Sequence, residues 1–173
     1  MKITTKRICK DAVLLAILCV VGMFFIPLGE NIKVSLQFLI VLIICLIADS
    51  HIDAVLITAA YLGLGMFLPV YAGFASGVSP TFGYIIGFVV ISVPTYFISK
   101  IKAMNEIARL IIASVVALLL VYTIGTIWMM FFLNLSLEKT LIVSVLPYIP
   151  FDIFKIAVAI TIYKLLPARL KGN

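Results

Sequence analysis

The sequence predicts an all-α integral membrane protein of six transmembrane helices with both termini cytoplasmic, and three observations carry that prediction. Of 173 residues, 65% are hydrophobic and only 12% charged, with a mean hydropathy of +1.31. A soluble domain of this length needs far more polar surface. The apolar residues fall into runs near the length of about 20 residues that a membrane span requires. The 13 Lys and Arg residues are also placed asymmetrically along the chain.

The first span is expected over residues 11–28, behind Lys2, Lys6, Arg7 and Lys10. These basic residues superficially resemble a secretory leader. Without a small-residue cleavage site, and with more apolar runs to follow, the segment reads as a retained first helix. Pro27 and Gly29 break it, and a short hydrophilic turn over 30–33 leads into a second span over 34–48. Asp49, Ser50, His51 and Asp53 form the next turn. A third span runs to residue 68 and stops at Pro69. An uncharged loop, VYAGFASGVSP, precedes a fourth span over 81–99, within which Pro94 predicts a kink. Lys100, Lys102, Glu106 and Arg109 connect to a fifth span over 110–133, closed by NLSLEK. The last apolar region, 140–166, is interrupted by Pro147 and Pro150. The sixth span is placed after the second proline, which suits a first helical turn. There is no internal repeat and no linker, so residues 1–173 read as one domain.

Orientation follows from the cations. With the N-terminus inside, the inner segments hold Lys2, Lys6, Arg7, Lys10, Lys100, Lys102, Arg109, Lys164, Arg169 and Lys171, and the outer loops only Lys33 and Lys139. The positive-inside rule therefore places both termini in the cytoplasm. The net charge of +6 is explained by topology and anionic lipid, with no nucleic-acid partner. The cysteines Cys9, Cys19 and Cys45 are odd in number, lie in or beside apolar helices and read as free thiols.

The chemistry concentrates in PYIPFDIFKIAVAI at 147–160. Asp152 and Lys155 are three residues apart and share a helix face, where hydrocarbon makes both charges costly. Such a pair is a site hypothesis; the alternative is mutual neutralisation, with Asp152 favoured near a helix N-terminus and Lys155 snorkelling. Topology puts the pair at the outer end of the last span, beneath the loop 70–80. An outward pocket roofed by YAGFASG and floored by this pair is expected, with Gly73 allowing close backbone approach. Gln37 reads either as a ligand contact or as a buried bridge between helices. Trp128 reads as an interfacial residue, with Tyr122 and Trp128 both candidates for the pocket wall. Asp49, His51 and Asp53 form an acid–histidine cluster, read as a solvated cytoplasmic turn because a fourth metal ligand is missing.

These residues resemble the BioY family, the biotin-specific substrate-binding (S) components of energy-coupling factor transporters. The likeness runs through IPLG from Ile26, VSLQ ending at Gln37, YLGLGMFLPVYAGFASG from Tyr61, SPTFGYIIGF from Ser79 and PYIPFDIFKIAVA. Departures fall at Phe38, at ADSHID between the second and third spans, and at Phe151, where the family has Gly before the Asp. The resemblance implies a multi-pass protein of a prokaryotic plasma membrane that binds biotin from outside, is not an enzyme and needs no cofactor. It also implies docking on a transmembrane coupling protein and two ATPases, with Ala12 and Ala16 on the first helix meeting the coupling protein. The chain itself carries no G-x-x-x-x-G-K-[ST] phosphate loop. Biotin's ureido carbonyl and N–H groups complement Lys155 and Asp152. Tyr71, Phe74, Phe82 and Tyr84 are expected as apolar walls. For the ligand's carboxylate, loop amides, Thr81 and Lys33 are the candidates. Other readings are an S component for another vitamin, an intramembrane enzyme using Asp152, or a structural membrane protein.

Overall fold

A computed structural model describes residues 4–27 and 33–171. Its helices are α1 (Thr5–Met23), α2 (Gln37–Ile47), α3 (His51–Gly65), α4 (Phe82–Ser99), α5 (Glu106–Leu133), α6 (Leu137–Ser144) and α7 (Ile149–Leu165), with a short 3-10 turn at Ala168–Leu170. The chain is an all-α membrane protein. Among the described residues, α4 and α5 alone are long and apolar enough to span a bilayer unaided. The α6–α7 pair, bent by 52°, makes a third apolar span. Taken as one span, it brings the helical segments to the expected six.

The first connection differs from expectation. Phe25–Pro27 and Lys33–Ser35 pair as an antiparallel ribbon, β1 and β2, so α1 stops five residues earlier than the apolar run suggests. Pro27 biases the residue before it toward extended backbone. It also lacks an amide for continuing a helix. The turn between the strands lies outside the described residues. α3 ends at Gly65, whose added Cβ would collide with the Tyr71 ring. Pro94 lies inside an uninterrupted α4. The closing region also differs, because Leu137–Ser144 is a separate helix and α7 begins at Ile149, with Pro150 in its first turn.

α2 is the centre of the bundle. It packs on α1, α3, α4, α5 and α7, and every one of its residues except Ile40 is buried. At 11 residues it is about 16 Å long, too short to cross hydrocarbon alone. Its environment is protein, which explains an apolar surface all round. α4 and α5 pair closely, because a Cβ at Gly87 would approach the Val121 Cα to 3.3 Å. Small residues at such contacts let membrane helices associate through close packing.

The two ends of the bundle are distinct. At one end Lys10 donates to the Ile47 carbonyl (2.7 Å) and to Asp49 (2.9 Å), and Tyr96 donates to the Asp49 carbonyl (3.3 Å). Residues 168–171 join this end beside α1. The chain's N- and C-terminal segments thus lie together, on the side the cations mark as cytoplasmic. At the opposite end the loop after α3 closes over the bundle. The Gly73 amide donates to the Met23 carbonyl (2.9 Å) and the Trp128 indole to the Ser79 carbonyl (3.0 Å).

Candidate functional site

Beneath that loop lies a cavity of about 450 Å³, within the range of small-molecule sites. Its walls come from the start of α2, the loop 71–81, α4, α5 and the α6–α7 bend. Of the residues expected from sequence, Asp152, Lys155, Tyr84, Thr81, Tyr71 and Gln37 all line it. Gly73 does not. It sits in the loop at φ +79°, its missing Cβ pointing toward Phe25, and its amide fastens the loop to the end of α1.

The aromatic expectations divide. Tyr71 and Tyr84 face the cavity and are fixed by donating to the carbonyls of Leu62 (2.7 Å) and Ser144 (3.2 Å). Phe82 is buried behind the wall against Trp128, with ring centroids 5.6 Å apart. Phe74 points outward, 60% exposed. Trp128 also lies outside the lining, stacked on Phe132.

Pro150 in the first turn starts α7 so that Asp152 and Lys155 lie one turn apart, both buried. Lys155 Nζ donates to Asp152 Oδ1 at 2.6 Å, and Tyr122 Oη donates to Asp152 Oδ2 at 2.6 Å. Each carboxylate oxygen therefore holds one donor. A carboxylate has about four acceptor sites and an ammonium three donors, so the group keeps free valence of both kinds. In a low-dielectric wall that valence gains from any ligand able to satisfy it.

Gln37 is held from both ends. Ser35 donates to its Oε1 (3.1 Å), and its Nε2 donates to Tyr61 Oη (2.5 Å). Tyr61 in turn donates to the Val70 carbonyl (2.9 Å). Gln37 thus ties α2 through α3 to the covering loop, as the bridging reading expects, and it also lines the cavity.

Sequence reasoning did not single out the α5 face of Leu118, Val121 and Met129, nor Phe38, Phe88, Ser144 and Tyr148, all of which line the cavity. The signal was present in α5, where Leu118, Val121, Tyr122 and Met129 recur at helical spacing. In a helix apolar on every side, that spacing alone does not tell cavity from lipid. The lining includes one cation among the described residues, Lys155. The side chain of Lys33 lies outside them.

At the cytoplasmic end, the Asp49–His51–Asp53 turn is not a solvated one. Arg7 donates through Nε and Nη2 to Asp53 Oδ2 (2.7 Å) and Oδ1 (2.6 Å), and Asp53 is buried. Asp49 pairs with Lys10, and His51 packs on Phe97 at 5.0 Å. The partners of Asp49 and Asp53 come from α1, more than 35 residues away in sequence, which a local reading of the turn could not supply.

A polytopic helical bundle with a partly polar cavity of small-molecule size beneath one surface loop has the form of a small-solute binding protein. Its fold matches that of a solved S component for biotin from an ECF-type ABC transporter, with a TM-score of 0.80 over 99% of this chain and 100% of that one at 24% identity. The chain belongs to the BioY family, matching it over residues 1–172. Similar proteins include a probable biotin transporter BioY of Pyrococcus horikoshii, 28% identical over 97% of this chain and 98% of the relative. The biotin transporter BioY of Thermotoga maritima is 28% identical over 96% of both chains. Biotin transporter BioY2 of Lactococcus lactis is 30% identical over 87% of this chain and 83% of the relative.

Proposed function

We propose that this protein is the biotin-binding S component of an ECF-type uptake system. It is a transport subunit and not an enzyme. The observation that carries this reading is the Asp152–Lys155–Tyr122 group in the wall of the cavity, two of whose members keep unused hydrogen-bonding capacity. A urea presents one carbonyl acceptor between two N–H donors, so it needs an acceptor and a donor close together. Asp152 accepts a hydrogen bond from a urea N–H, and the Lys155 ammonium donates one to the carbonyl oxygen. The sulfur-containing ring and alkyl chain pack on Phe38, Phe88, Leu118 and Val121. The ligand's carboxylate is met by hydroxyls and amides of Ser35, Thr81 and the covering loop.

The protein resides in a prokaryotic plasma membrane with its cavity opening outward. The chain has no nucleotide-binding loop, so release into the cell relies on a transmembrane coupling protein with two ATPases. Ala12 and Ala16 lie exposed on one face of α1 beside Val13 and Ile17, opposite the buried Leu14 and Leu18. That apolar, small-residue face permits close approach by a helix of the coupling protein.

The test is calorimetric titration of detergent-purified protein with biotin, desthiobiotin and riboflavin. Biotin binds at one site. Desthiobiotin keeps the urea and binds more weakly, and riboflavin gives no heat. Folded protein that ignores biotin, or that prefers riboflavin, overturns the assignment.

A further inference from the structure

A second cleft, of about 410 Å³, lies at the cytoplasmic end between the start of α1, Asp49 and residues 168–171. Its lining includes five cations, Lys6, Arg7, Lys10, Arg169 and Lys171, and one acid, Asp49. Two of the cations are already committed. Arg7 places its fork on Asp53, and Lys10 bonds Asp49 and the Ile47 carbonyl. Lys6 and Arg169 have no carboxylate partner among the described residues. Lys171 lies over the Tyr163 ring, 4.8 Å from its centroid, and reaches one carbonyl, that of Lys164, at 3.4 Å. Folding thus gathers like charges from the two ends of the chain and leaves three of them without a counter-ion among the described residues. Their repulsion is relieved by an anion.

The start of α1 adds to this field. Its cap, Thr4, makes no side-chain bond to the helix, and the first turn contains no acid. The positive end of the helix dipole and its free amides therefore favour negative charge beside Lys6. Leu170 lines the cleft, and exposed apolar residues adjoin cations in the chain, Ile8 (56% exposed) next to Arg7 and Leu165 (80% exposed) next to Lys164. A soluble phosphate has no use for those apolar side chains, and an acidic protein surface would leave them wet. A phosphodiester attached to acyl chains matches both parts, and basic pockets between helices on the cytoplasmic side are suited to such headgroups.

We propose that this cleft is a binding site for the phosphate headgroup of an anionic phospholipid from the inner leaflet, held by Lys6, Arg169 and Lys171. The lipid clamps the C-terminal segment to the start of α1. This site is separate from the ligand cavity and does not depend on what that cavity binds.

Native mass spectrometry of the detergent-solubilised protein tests it, with phosphatidylglycerol, phosphatidylcholine or inorganic phosphate added at equal concentration. The wild type is expected to retain one phosphatidylglycerol in preference to phosphatidylcholine, and phosphate is expected not to displace it. Removal of each cation should weaken retention about fivefold, and the Lys6→Gln/Arg169→Gln/Lys171→Gln variant about a hundredfold. A monodisperse triple variant that still binds its cavity ligand excludes unfolding as the cause. If that variant does not fold, Arg169→Gln alone, expected about fivefold weaker, makes the comparison. Equal retention of the two lipids overturns the proposal, as does undiminished retention by the variants, which would assign the cations to an acidic protein partner or to topology. Displacement by phosphate overturns the lipid assignment and leaves a site for free phosphate.

Discussion

Among the described residues two acid–base pairs are largely shielded from solvent, and they differ in almost everything else. Arg7 and Asp53 join α1 to α3 across 46 residues, and both carboxylate oxygens are taken by one guanidinium in a bidentate fork. Asp152 and Lys155 belong to one helix, three residues apart, and share a single hydrogen bond. The first pair commits both carboxylate oxygens to one partner and clamps two helices. The second is local to α7, tied to α5 through Tyr122, and its remaining donors and acceptors lie in a cavity wall. Burying a charge pair is costly in either place. At the cytoplasmic end the return is a fixed geometry; at the outer end it is unspent binding capacity.

The largest effect should come from breaking the pair that clamps α1 to α3. Asp53→Asn takes from Arg7, whose side chain is 10% exposed, the carboxylate that holds its fork, at an expected loss of about 3 kcal/mol in stability. Thermal unfolding in detergent should show a strong fall in Tm, while the protein that remains folded binds biotin with near wild-type affinity. A loss of affinity with unchanged Tm would reverse the roles assigned to the two pairs.

The site pair should respond in the opposite way. Asp152→Asn or Lys155→Met each removes half of a donor–acceptor reader and should weaken biotin binding by about 3 kcal/mol, roughly a hundredfold in Kd. Each single variant also strands one buried charge. The double variant strands none, and should therefore recover stability toward or above wild type while staying unable to bind tightly. Calorimetry and Tm on the three variants separate the two quantities. Tight binding by the double variant would exclude the pair from recognition.

Tyr122→Phe is a smaller perturbation of the same group. It deletes the donor to Asp152 Oδ2 but keeps the ring, so Asp152 gains freedom and loses one of its two positioning bonds. A hydrogen bond to a charged acceptor contributes about 1.5 kcal/mol, so affinity should fall about tenfold with little change in Tm. An affinity equal to wild type would show that Lys155 alone orients the carboxylate.

How much of this was legible in the sequence depends on the range of the interactions. Asp152 and Lys155 stood out because their spacing and their apolar setting are both local properties. The membrane class followed from composition, and the grouping of the termini from the placement of cations. The Arg7–Asp53 clamp was invisible because its halves lie 46 residues apart, and each looks like an ordinary charge beside a span. The strand pair at 25–27 and 33–35 was missed because FFIP continues an apolar run, and hydropathy does not register the backbone preference that Pro27 imposes. The α5 wall was missed for a similar reason, since α5 is apolar on all sides and only packing distinguishes its cavity face.

Gly73 gives the smallest and most discriminating prediction. Sequence reasoning put it in the binding site because glycine lets backbone approach a ligand. The structure gives it a different task, at φ +79° with its amide on the Met23 carbonyl, fastening the covering loop to the end of α1. An alanine there must adopt a left-handed conformation at a cost of about 1 kcal/mol, with its methyl 3.4 Å from the Phe25 ring. Gly73→Ala should therefore lower Tm slightly and leave the biotin Kd within about twofold of wild type. A tenfold loss of affinity would mean that the loop amide itself reaches the ligand. The boundary between roof and binding surface would then move one residue further into the loop than Ala72, which lines the cavity.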